Sequence, residues 1–160
     1  MANSVIKTMQ SNSISLPFSG SDACGTFGSE IDMDLCARWY FVSAFQPFSW
    51  IHRDQYAAAR EPFRFKDQKP SNESDKSYMD YMRDAMLLKY ALAPYFSTEF
   101  NLLSGHGGSF YNPVFFEFPN DPKAYENTHN NFMLGTSLKV SLQTTDISQT
   151  DSVYYFPSEP

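Results

Sequence analysis

The stretch from Ile14 to His52 constrains this chain more than any other. Ile14-Ser15-Leu16-Pro17-Phe18 alternates and then runs apolar, which predicts a short buried strand. A polar, glycine-punctuated loop follows, Gly20-Ser21-Asp22-Ala23-Cys24-Gly25. Ile31, Leu35, Trp39, Val42 and Phe45 then recur at helical spacing. Ser29 with Asp32 has the form of a capping box, so residues 30–45 are expected to be an amphipathic helix packing on the strand. Gln46-Pro47-Phe48-Ser49-Trp50-Ile51-His52 reads as a second short strand ending at His52. Strand, loop, helix and strand in about 40 residues make a βαβ unit, the repeat of a parallel sheet or barrel.

Residues 53–73 are polar, contain Pro62 and Pro70, and read as a long loop. A second helix is expected from near Ser74, with Tyr78, Tyr81, Met82, Ala85, Leu88, Leu92 and Tyr95 along one broad face. Pro94 cannot donate a backbone N–H and is expected to kink or locally break this helix. The helix should resume to about Leu103 and end at Gly105, Gly107 and Gly108. From Phe110 the pattern turns β-prone: residues 110–118, then a turn at Pro119-Asn120-Asp121-Pro122, then Phe132–Leu134, Leu138–Leu142 and Val153–Phe156. The fold class is therefore α/β, followed by an all-β tail.

Size and charge exclude several functions. A chain of 160 residues is too short for a complete (β/α)₈ barrel, which needs roughly 250. The formal net charge is −6, and no basic stripe is present to neutralise phosphates, which argues against nucleic acid as a partner. No apolar run is long enough to span a bilayer; the uncharged aromatic stretch Trp39–Ile51 is short and interrupted by Pro47. The first residues, MANSVIKTMQSNS, have no apolar core of a signal peptide. No His, Cys and carboxylate set has metal-ligand spacing, so neither a metal nor another cofactor is expected; His106 and His129 read as solvent-exposed. Cys24 and Cys36 are the two cysteines, and composition alone leaves open whether they pair. Asn72-Glu73-Ser74 is a lone glycosylation sequon.

Several segments, in order, resemble glycoside hydrolase family 31, the α-glucosidase-like enzymes. Gly20-Ser21-Asp22-Ala23-Cys24-Gly25-Thr26-Phe27 is similar to that family's G-[AS]-D-[IV]-C-G-F. Leu35-Cys36-Ala37-Arg38-Trp39 resembles L-C-x-R-W, and Ala44-Phe45-Gln46-Pro47-Phe48 resembles A-F-Y-P-F. Glu61-Pro62-Phe63, Tyr90-Ala91-Leu92-Ala93-Pro94-Tyr95, Pro113–Asp121 and Phe132-Met133-Leu134-Gly135 follow in the family's order.

The resemblance implies the C-terminal part of a (β/α)₈ barrel, its last two strands and helices, over residues 1–108. Residues 14–22 would be the seventh strand and 46–52 the eighth. Residues 109–160 would begin the β-sandwich domain that follows. It implies retaining hydrolysis of α-glucosides or oligosaccharides by two carboxylates ~5–5.5 Å apart. Both carboxylates precede the G-S-D-x-C segment in the family, so no catalytic residue is assigned to this chain.

Asp22, His52 and Phe27 would be substrate-binding residues, with Asp22 and His52 contacting hydroxyls of the −1 glucose from the C-terminal ends of the strands. Taken alone, Asp22 reads as an acceptor for backbone N–H groups in a glycine-flanked turn. Cys24 and Cys36 match a bridged pair in secreted and lysosomal relatives. That places the parent enzyme in the secretory pathway, lysosomal or extracellular. The implied partners are the substrate and the missing N-terminal part of the barrel. The other readings are a non-catalytic truncated relative, binding sugar weakly or docking on a complementary fragment, and a product without function.

The chain departs from the family pattern at Thr26, an extra residue before Phe27, and at Trp50-Ile51-His52, where the family carries arginine two residues before histidine. It departs again at Asn112-Pro113-Val114 and at Leu138-Lys139-Val140-Ser141-Leu142.

Overall fold

A computed structural model describes residues 1–28, 30–70, 76–144 and 154–157. The chain opens with a helix that sequence patterning did not reveal, α1 (Ala2–Ser13). Its inward face is Val5, Thr8, Met9 and Asn12, half of it polar, so no apolar stripe announces it. The strand expected over 14–18 is not there. Leu16 N–H returns to Ser11 O at 2.9 Å and Ser15 N–H to Asn12 O at 3.1 Å, closing α1. Ser15 takes a positive φ of 66° and Pro17 lacks an N–H, so neither can serve a ladder. Ile14, Leu16 and Phe18 are accordingly exposed. The strand that does form, β1, is confined to Gly20–Asp22.

The chain divides into two compact units, Ser21–Pro94 and Met1–Gly20 with Tyr95–Pro160. In the first, β1 leads through a turn at Cys24 (φ +65°) and Gly25 (φ +77°) to α2 (Met33–Phe45), which returns the chain to β2 (Phe48–Trp50), the partner of β1. Asp32 caps α2 by accepting the Leu35 N–H at 3.0 Å; Ser29, the other half of the expected capping box, lies outside the described residues. The buried residues of α2 are Cys36, Ala37, Tyr40, Val42, Ser43 and Ala44; of the expected stripe Val42 is buried, Ile31 and Trp39 pack partly buried against the core, and Leu35 is exposed. This helix is apolar on nearly every side, so periodicity does not single out one face. The small Cys36 and Ala37 side chains win because they admit close packing.

Cys36 is disulfide-bonded to Cys24, with Cα atoms 4.5 Å apart. Around the bridge, Ala23, Tyr40, Phe65, Met82 and Ala85 complete a core. Phe65 arrives from a 3₁₀ turn at Pro62–Phe65 inside the long loop.

The second helix of the prediction, α3, runs from Tyr78 to His106 without interruption at Pro94. Ser77 precedes it, its hydroxyl accepting the Asp80 N–H at 3.2 Å while Asp80 Oδ2 accepts the Ser77 hydroxyl at 2.7 Å. Gly107 (φ +73°) ends it, its N–H reaching Leu103 O at 2.8 Å.

In the other unit, β3 (Tyr111–Pro113), β4 (Asn131–Leu134) and β5 (Leu138–Ser141) form an antiparallel sheet in that order. Tyr111 faces Leu134 and Leu134 faces Leu138 in register. The β-prone run 110–118 is strand only to Pro113; Val114–Phe116 is a 3₁₀ turn whose Val114 O accepts from both Glu117 N and Phe118 N. Tyr154–Phe156 forms no regular element, and Val153 and the sequon lie outside the described residues.

Helix α1 packs on β3 through Asn12, whose Oδ1 accepts the N–H groups of Phe110 (3.2 Å) and Tyr111 (3.0 Å). Phe110 sits beneath Phe96 and Phe100, and Tyr111 stacks on Phe132 at 4.5 Å. Among the described residues no helix is long and apolar enough to cross a membrane.

Candidate functional site

Side chains alternate along a strand, so Phe48, Trp50 and His52 share one face of the β2 segment. Their rings form a ladder: Phe48 to Trp50 at 5.9 Å, then Trp50 stacked on His52 at 5.6 Å with 27° between planes. The Trp50 indole N–H donates to Asp22 Oδ1, across from the end of β1. The other carboxylate oxygen, Oδ2, accepts the Thr26 hydroxyl at 2.6 Å. Asp22 and His52 are thus brought to one place by the residue between them. Among the described residues, the acceptor role expected of Asp22 in its turn is filled by two side chains.

Phe27 is on the same loop, but its ring is 80% exposed and is not drawn into the cluster. Its backbone is held from below. Arg60, 1% exposed, donates to Phe27 O at 2.8 Å and Gly28 O at 3.3 Å, and the Asp54 N–H reaches Thr26 O at 3.0 Å. A guanidinium with fixed donor geometry suits this task, because it can hold several carbonyls at once. His106 is exposed as expected, whereas His129 is half-buried against expectation.

Three contributors were not singled out from sequence. Trp50 and Thr26 stood only as departures from a pattern, yet both bind Asp22. Trp50 could have been found by strand alternation from His52. Arg60 had no signal, since a lone arginine in a polar loop is ordinarily solvated.

Behind the cluster, within the same unit, lies a mostly apolar cavity of about 540 Å³ lined in part by Tyr40, Ile51, Ala85, Met86 and Lys89. Among the described residues, the Tyr40 hydroxyl and Ser43 Oγ are buried there without a hydrogen-bond partner. Burial holds the Tyr40 phenol protonated well above its ordinary range, with Glu61 adding to the effect.

Lys89 donates to Ser43 O (3.0 Å), Gln46 O (2.8 Å) and Ser49 Oγ (2.7 Å) at the end of α2, where a cation is favoured by the helix dipole. Burial nevertheless brings its ammonium down to about 8. A folded pKa below the unfolded value means the unfolded chain holds more protons between the two. Stability should therefore rise as pH increases from about 8 toward 10, before the buried phenols act in the opposite sense. Urea unfolding across that window should show the rise in the native chain and a shallower one in Lys89→Met, since burial also lowers Lys139; an unchanged slope in the variant would refute the assignment.

Residues 1–99 match the family model described as the glycosyl hydrolases family 31 TIM-barrel domain. The lysosomal alpha-glucosidase of Rattus norvegicus is 32% identical over 98% of this chain, which spans 15% of that relative's length. An uncharacterized family 31 glucosidase of Schizosaccharomyces pombe is 35% identical over 81% of the chain and 12% of its own. Among solved structures, the family 31 alpha-glucosidase from Bacteroides thetaiotaomicron superposes with a TM-score of 0.74 and 27% identity, covering 91% of this chain and 23% of that one.

Proposed function

The chain belongs to glycoside hydrolase family 31, and from that membership we propose that it serves as the C-terminal part of a retaining α-glucosidase-type barrel. In this reading residues 1–108 are the last two strands and helices of the barrel, and residues 109–160 open the β-sandwich domain after it. That boundary follows the change from helix to sheet, whereas the compact units divide within α3. Asp22, His52 and Phe27 form one wall of the −1 glucose pocket, and the two catalytic carboxylates come from the rest of the barrel. The parent enzyme works in the secretory pathway, in a lysosome or outside the cell, in keeping with the Cys24–Cys36 bridge.

One observation carries the reading: at the ends of two paired strands, Asp22 and His52 both contact Trp50, the first through its indole N–H and the second by ring stacking. A carboxylate has about four acceptor sites, and two remain free for sugar hydroxyls after Thr26 and Trp50 are served. The apolar cavity and the exposed Met86, Leu87 and Tyr90 of α3 suit the preceding barrel elements as occupant.

The test is complementation. The chain alone should not hydrolyse p-nitrophenyl α-glucoside. Mixed with the rat lysosomal enzyme lacking its matching segment, it should restore turnover. Asp22→Asn should then lower kcat/KM roughly 10- to 100-fold, the loss of a hydrogen bond to a charged group. Turnover by the isolated chain, or restored turnover indifferent to Asp22→Asn, would overturn the proposal.

A further inference from the structure

We propose that Trp50 is a positioning residue that fixes the Asp22 carboxylate and ties it to His52. The inference concerns this chain's own geometry and rests on the reading above only for what Asp22 is positioned to receive. Strand β1 is three residues long and ends at Asp22, which is only half-buried, so packing does little to select the rotamer of that side chain. Two hydrogen bonds select it instead, one on each carboxylate oxygen. The Thr26 hydroxyl, on the loop that follows, can rotate and either donate or accept. The Trp50 indole has one donor in a fixed direction and accepts nothing, so the bond it makes defines where Oδ1 must lie.

The same ring is itself oriented, because it stacks on His52 and leans on Phe48. Trp50 thereby couples the acid of β1 to the imidazole that follows β2 without adding a charge between them. The indole is 53% exposed, so its free surface also borders whatever Asp22 and His52 contact. The two acceptor sites left on Asp22 are aimed by this bond, and loss of the donor would release them.

Nuclear magnetic resonance on the full chain decides the matter. Two indole N–H signals are expected, from Trp39 and Trp50, and Trp50→Phe assigns them. Asp22→Asn should move the Trp50 indole proton upfield and leave that of Trp39 in place. In the other direction, Trp50→Phe, which keeps a ring over His52, should shift the side-chain carboxyl carbon of Asp22. A role confined to packing would move neither. An indole signal unmoved by Asp22→Asn overturns the proposal, and that variant supplies the readout even if Trp50→Phe does not fold.

A separate arm titrates maltose into the complex formed with a rat partner whose two catalytic carboxylates are replaced by amides, so that the sugar binds without being cleaved. Trp50→Phe should weaken binding about tenfold, the scale of one hydrogen bond to a charged group. If maltose does not bind the native complex while the indole responds to Asp22→Asn, the sugar-pocket reading fails and the positioning role stands.

Discussion

Asn12→Ala should lower the unfolding free energy by about 2–6 kcal/mol, the largest single-residue effect foreseen in this chain. Asn12 is 2% exposed and works with both ends of its amide. Its Nδ2 donates to Thr8 O at 2.9 Å and to Ser19 Oγ at 3.3 Å. Its Oδ1 accepts from the backbone of Phe110 and Tyr111, two residues with no exposed surface. Alanine removes the acceptor and leaves two buried N–H groups without a partner, each costing about 1–3 kcal/mol. Water cannot compensate easily under Phe96 and Phe100. Urea unfolding followed by circular dichroism measures the loss. Amide exchange at Phe110 and Tyr111 locates it, since those two protons should exchange much faster. An unfolding midpoint within error of the native value would show that the α1–β3 contact does not depend on this amide.

Opening the Cys24–Cys36 bridge should cost about 3 kcal/mol, because the sequence separation of 12 closes a loop of the length for which chain entropy gives that value. With a denaturant slope of roughly 2 kcal/mol per molar, the urea midpoint should fall by about 1.5 M. Trp39 packs against the core around the bridge and reports the transition by fluorescence. The two cysteines are not equivalent. Cys24 sits at φ +65°, a region glycine enters freely and serine does not. Cys24→Gly with Cys36→Ser should therefore lose less than Cys24→Ser with Cys36→Ser. A midpoint unchanged by thiol, with both sulfhydryls shown to be free, would remove the bridge from the account of stability.

What could be read in advance depended on how locally each feature is encoded. The helix and second strand of the unit were legible because α2 and β2 carry their own patterns, and Asp32 its own cap. Helix α1 was not, because Thr8 and Asn12 face inward for long-range reasons: Asn12 serves residues almost a hundred positions away. The apolar run at 14–18 misled for the complementary reason, since Pro17 and the left-handed Ser15 spoil a ladder that composition alone would allow. The expected face of α2 held only in part, at Val42 and Trp39, because a helix apolar on most sides lets small residues share the contact. At the site, Asp22 and His52 were nominated only through resemblance. Trp50 and Thr26 were marked as departures from it, and both donate to Asp22. A departure can be noticed in one dimension, but its partner exists only in three.

The bridge between Cys24 and Cys36 encloses Phe27, whose ring stands 80% in solvent. A peptide bond hydrolysed beside that aromatic would leave the two pieces tethered through sulfur. The molecule would keep its mass apart from one added water and would part into two pieces only when a thiol was supplied. The loop carrying Thr26 could thus be severed without dissociating, and the nick would stay invisible to any gel run without reductant.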